Sequence, residues 1–84
     1  VEVMIFSKEY PEQIVKCIVN EFHRDATWWE AKGGYTEGGT YMVLTILSKY
    51  ECEHLRPKLK RIDKHAFIVV KEGMHIAGKY EKHL

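Results

Sequence analysis

The chain has 84 residues, of which 13 are basic and 12 acidic, for a formal net charge of +1. One hydrophobic core usually organises about 100–150 residues, so the whole of residues 1–84 reads as a single domain. Neither sign of charge forms a long block, which argues against a partner held mainly through its phosphate backbone, and the longest strongly apolar run, Tyr41 to Leu47, is far shorter than the ~20 residues that cross a bilayer.

A chain this short buries only roughly 60% of its unfolded surface, so self-association would add stability. The sequence opens at Val1 inside an apolar stretch, not at an initiator Met, and is expected to be a piece of something longer. Cys17 and Cys52 are too few for a disulfide scaffold. They read as buried thiols in a reducing compartment, with a single bridge between them left open.

In chain order, Val1, Val3 and Ile5 alternate with Glu2, Met4 and Phe6. That pattern predicts a strand, apolar on both faces, ending at Ser7 and Lys8. Pro11 and Glu12 suit a first helical turn. Ile14, Ile18 and Phe22 recur every fourth residue beside Val15 and Val19 and carry the helix onward. "ATWWEAK" predicts a second strand, "YMVLTIL" a third, and the glycine-rich stretch between them a hairpin connection.

From Glu51 to Ile62 the positions Cys52, Leu55, Leu59 and Ile62 again have helical spacing. Pro57 interrupts it, so a late start near Leu55 or a kink is expected. "AFIVV", Ala66 to Val70, predicts the last strand, and the remaining tail a mobile or briefly helical segment.

The order βαββαβ most simply forms a ferredoxin-like α+β sandwich, a four-stranded antiparallel sheet with both helices on one face. The other face is left bare and should be polar in a monomer. It is not, because adjacent strand residues point to opposite sides and Trp28 and Trp29 cannot both face the helices. Trp29 with Thr27 and Ala31 is assigned to the helix side, and Trp28 with Glu30 and Lys32 to the open side. Met4 or Val3, and Ile68 or Val69, must also face outward. An apolar open face needs a cover.

A second copy of the chain is the favoured cover, with Trp28 and Tyr41 at the oligomer interface. A different protein is another. A third is nucleotide bases stacked on Trp28 and Tyr41, as in RNA-recognition sheets. For that reading "GGTYMVLTI" supplies aliphatic residues where such motifs carry basic and aromatic ones, so no nucleic acid partner is expected.

The glycine segment "GGYTEGGT", Gly33 to Thr40, matches the phosphate-loop pattern G-x-x-x-x-G-K-[ST] except that Gly39 replaces the lysine. It also leads into a strand, whereas the motif must open a helix whose amides point at the anion. This is not a Walker loop. Two readings stay open: a hairpin turn that uses glycine for its backbone freedom, and a ligand site built from Lys32, Gly33, Gly34, Tyr35 and Thr36. In the second, exposed amides, one ammonium, an aromatic face and hydroxyls take a small anion.

No catalytic constellation is visible. The five histidines, His23, His54, His65, His75 and His83, are scattered without metal-ligand spacing. Ser7 and Ser48 sit in no nucleophile elbow, and Cys17 has no adjacent base. Glu30 and Glu37 flank the glycine segment as ordinary exposed carboxylates. The chain is expected not to be an enzyme and to hold no metal, and its residues specify no cofactor.

"AKGGYTEG", followed by an apolar strand and "RIDKHAFIVV", resembles the C-terminal domain of the YitT family of bacterial multipass membrane proteins. The matching positions are Lys32, Gly33, Gly34, Tyr35, Thr36, Ile62, Asp63, Ala66, Phe67, Val70 and Gly78. Ala31 and Glu37 depart from the family pattern, where glycines are usual. The resemblance implies a ferredoxin-like fold related to PII-like regulatory domains, which form oligomers and bind small molecules near the loop joining the second and third strands. It further implies a non-catalytic sensing domain on the cytoplasmic side of the membrane, attached to a membrane-embedded portion and binding a small anionic metabolite or nucleotide. A purely structural homo-oligomerisation domain is the alternative.

Overall fold

The computed structural model describes residues 1–34 and 39–73. The elements are β1 (Glu2–Ser7), α1 (Pro11–Phe22), β2 (Ala26–Lys32), β3 (Gly39–Ile46), α2 (Lys49–Ile62) and β4 (Phe67–Lys71). The strands form one antiparallel sheet in the order β2-β3-β1-β4. This is the ferredoxin-like arrangement, with the first strand in the interior of the sheet. Residues 74–84, where a mobile or briefly helical tail is expected, lie outside the described residues, as do Tyr35, Thr36, Glu37 and Gly38.

The period-2 pattern of β1 sends Val3, Ile5 and Ser7 inward, where all three are buried. They meet Val43 and Thr45 of β3 and the apolar stripes of the two helices. Ile14, Cys17, Ile18 and Phe22 face this layer from α1, and Cys52, Leu55 and Leu59 from α2. Fully burying an Ile or Leu contributes roughly 1.5–3 kcal/mol, and among the described residues six of the eleven buried apolar side chains are Ile or Leu. Cys17 and Cys52 are both free thiols within it.

Helix α1 begins at Pro11, where the missing amide costs nothing because first-turn donors have no partner inside the helix. It ends at His23, whose φ of 55° is left-handed, a conformation that usually falls to glycine. Of the two expectations at Pro57, helix α2 corrects the late start near Leu55. It begins at Lys49, with Ser48 and Glu51 forming a capping box in which the Glu51 amide donates to Ser48 Oγ (3.1 Å) and the Ser48 amide to Glu51 Oε1 (2.9 Å). Pro57 stays inside the helix on its exposed side. Reciprocal caps and three buried apolar residues outweigh the one hydrogen bond it removes.

β2 and β3 form the expected hairpin, paired from Ala26↔Thr45 to Lys32↔Gly39. Their register reverses the expected orientation of the tryptophans. Trp28 lies opposite Val43, which is fully buried beneath the helices, so Trp28 is on the helix side and Trp29, opposite Met42, is on the open side. The strand alone is silent on the point, since the two side chains are 38% and 39% exposed. Only the partner strand decides. Met4 and Val69 take the outward positions, while Val3 and Ile68 face the helices.

Candidate functional site

The ends of β1 and α2 and the start of β4 meet at one corner of the molecule. Asp63, buried where α2 stops, organises the meeting. Its Oδ2 accepts from Ser7 Oγ (2.7 Å) and its Oδ1 from the His65 amide (2.9 Å). Ser7 Oγ in turn accepts from the Tyr10 amide (3.1 Å), and Thr40 Oγ1 donates to the Ser7 carbonyl (3.4 Å). The β1–α1 loop and the α2–β4 turn are thereby tied together by one carboxylate and one hydroxyl. Both polar groups are satisfied, as burial requires.

Between these two turns lies a cleft of about 750 Å³. Phe6 and Phe67 line one side, their ring centroids 5.7 Å apart and inclined at 60°. Lys8 approaches from the β1–α1 loop, and Lys60, Arg61 and Lys64 from the end of α2 and the turn after it. Glu9 and Asp63 are the acidic residues in the lining, and Asp63 is already engaged. The volume lies within the ~300–1,000 Å³ typical of small-molecule sites.

Several basic groups elsewhere in the fold are paired with carboxylates. Arg24 meets Glu51 (3.2 Å), Lys49 meets Glu72 (2.7 Å), and Lys58 meets Glu21 (2.8 Å). Lys8, Lys60, Arg61 and Lys64 make no ion pair among the described residues.

The glycine segment abuts this corner. Thr40 lines the cleft, and Gly39 before it pairs with Lys32 across the hairpin. Among the described residues, the lining includes none of Lys32, Gly33 and Gly34. An added Cβ at Gly34 would meet no atom of the described residues within 4 Å. Tyr35 and Thr36, the other two expected ligand-binding residues, lie outside the described residues.

Trp28 and Tyr41 do come together, their ring centroids 5.7 Å apart, beside the start of α1. That contact is on the helix side, which corrects their expected position on the open face. The open face instead carries Trp29, Met42, Phe6 and Phe67 as one row across all four strands, with Leu44, Met4 and Val69 in the next. Sequence reasoning missed the basic corner because its members come from two turns far apart in the chain. The visible signal was the run "KRIDKH", in which three basic side chains and a histidine surround one aspartate.

Cys17 is a poor nucleophile. Burial and the neighbouring Glu21 push the Cys17 thiol up to about 12, and its Sγ donates to Glu21 Oε2 (3.0 Å). Among the described residues no three His, Cys, Asp or Glu side chains gather as a metal ion would require.

A family model described as "Uncharacterized protein conserved in bacteria (DUF2179)" matches residues 24–78. The chain belongs to the DUF2179 family. Its relatives include the UPF0750 membrane proteins YvjA and YdeO of Bacillus subtilis strain 168. The DUF2179 domain is 29% identical to the first over 77 residues and 28% identical to the second over 74. It is also 28% identical over 68 residues to an uncharacterized protein in the cccA 5′ region of Bacillus sp. strain PS3.

These alignments cover 90%, 88% and 81% of the chain but only 27%, 26% and 45% of the relatives, so the domain corresponds to a part of each. A crystal structure of a DUF2179 protein from Eubacterium ventriosum superposes with a TM-score of 0.65 at 22% identity, covering 84% of this chain and 99% of that one. The likeness confirms the fold, and the membrane-protein relatives agree with the YitT-family resemblance. Among the described residues no helix is long and apolar enough to cross a membrane.

Proposed function

We propose that this DUF2179 domain is a non-catalytic sensing domain of a membrane protein. It lies on the cytoplasmic side, binds a small anionic metabolite or nucleotide at the sheet end that carries the glycine segment, and passes that occupancy to the attached membrane portion. The observation that carries this reading is the set of unpaired cations gathered at that end, Lys8, Lys60, Arg61 and Lys64, beside the hairpin that bears Lys32. Like charges held together repel, and an anion between them relieves the repulsion. The free thiols of Cys17 and Cys52 suit a reducing compartment. The protonated state of Cys17 and the hydrogen-bonded, buried state of Ser7 support a role without covalent catalysis.

The test is a thermal-shift screen of the chain against phosphorylated, carboxylated and nucleotide metabolites. A ligand present at one hundred times its Kd stabilises by about 2.7 kcal/mol, a rise of roughly 10–20 °C in Tm for a domain of this size. A panel in which no anion raises Tm counts against the proposal.

The second reading, a structural homo-oligomerisation domain, is favoured by a different observation. Two rows of apolar side chains cross the open sheet face, and Phe67 there is 63% exposed. The two readings meet at Phe6 and Phe67, which belong both to the rows and to the cleft.

A further inference from the structure

We infer that the corner cleft, and not the glycine segment, is the ligand site, and that it takes a small molecule in which a flat ring is joined to phosphate groups. This rests on the reading of the domain as an anion sensor and goes beyond it in naming the site and the ligand class. Charge alone would make the corner a patch for any anion. Phe6 and Phe67 change that, because their tilted rings form an apolar wall within the same cleft, and the mostly exposed Phe67 has no reason of core packing to be aromatic. A ring laid on that wall removes apolar surface from water. Its phosphates then reach Lys8 on one side and Lys60, Arg61 and Lys64 on the other.

Arg61 adds directional recognition to this cluster, since a guanidinium grips two phosphate oxygens at once. The frame is set before the ligand arrives. Asp63 holds both turns through Ser7 and the His65 amide, so the backbone that carries the cations is positioned beforehand and only their side chains are ordered on binding. A metal cation fits the cleft badly, because Glu9 is its one acidic side chain not already tied into that frame.

Calorimetric titration of the 84-residue chain tests this with adenosine and guanosine triphosphates, and with adenosine and tripolyphosphate as the separate halves. The nucleotides are expected to bind at least about tenfold more tightly than either half. The double substitution Arg61→Glu/Lys64→Glu weakens nucleotide binding by about tenfold or more, and Phe67→Ala weakens the nucleotide while leaving tripolyphosphate unchanged. Circular dichroism melts of both variants confirm that they fold.

Equal affinity for tripolyphosphate and nucleotide overturns the ring requirement. Nucleotide affinity that survives Arg61→Glu/Lys64→Glu but is lost in Lys32→Ala overturns the cleft and leaves the sensor reading standing, with the glycine segment as its site. Capture of the chain by vesicles of phosphatidylglycerol and phosphatidylcholine, with no nucleotide bound, assigns the corner to lipid headgroups and overturns the inference. Absence of binding by any anion overturns both readings.

Discussion

Ser7 donates a 2.7 Å hydrogen bond to Asp63 from the far end of the domain's first strand, and both residues are almost fully buried. Asp63→Ala strands the Ser7 hydroxyl and the His65 amide without their acceptor. A loss of about 1–3 kcal/mol is expected in urea unfolding. Ser7→Ala should cost less, and the double substitution less than the sum, because the two act through one bond. Additive losses would show that Asp63 stabilises the corner through its other contacts instead.

Glu51 sets a pH dependence. Burial pushes its carboxyl up, but the Ser48 backbone amide and hydroxyl together with the Arg24 guanidinium outweigh burial and hold it below the ordinary 4.5. A depressed carboxylate contributes stability that is complete above its unfolded-state value and fades as pH falls through its folded-state value. Stability is therefore expected to drop in acid from about pH 4.5 downward. Glu51→Gln should lose about 1–3 kcal/mol at neutral pH and show a shallower acid slope, read from urea midpoints across a pH series.

Cys17 should be inert. With its thiol pushed up to about 12, almost none is thiolate at neutral pH, and only the thiolate attacks disulfides and alkylating agents. Labelling by an aromatic disulfide reagent should be slow in the folded chain and fast in denaturant. Rapid native labelling of Cys17, located by peptide mapping, would contradict the burial described for it.

The two tryptophans separate the faces of the sheet. If the open face joins copies of the chain, Trp29→Glu should yield a monomer by sedimentation at concentrations where the parent associates. Trp28→Glu should leave association intact while costing about 1–3 kcal/mol of stability through its lost packing on Tyr41. A parent chain that sediments as a monomer at every concentration removes the oligomer reading.

How far the sequence predicted this molecule follows from what each signal depends on. Element order and the core stripe of α1 were legible because hydrophobic period is local. The start of α2 was also legible in principle, for Ser48 and Glu51 spell a capping box, but Pro57 drew the boundary too late. Which tryptophan faces the helices was not legible, because that is a property of the register with β3. Asp63 was readable only through the YitT-family resemblance. Its partner Ser7 is 56 positions distant, and no window along the chain contains both. The basic corner escaped for the same reason.

The sheet order has a consequence for synthesis on the ribosome. β1 lies between β3 and β4, so the domain's own first strand cannot be flanked on both sides until its last strand has left the exit tunnel. Long-range pairing of this kind is slow to form. A nascent chain arrested before Phe67 would leave one side of β1 unclaimed, and protease sensitivity of such arrested chains should fall abruptly once Lys71 has emerged.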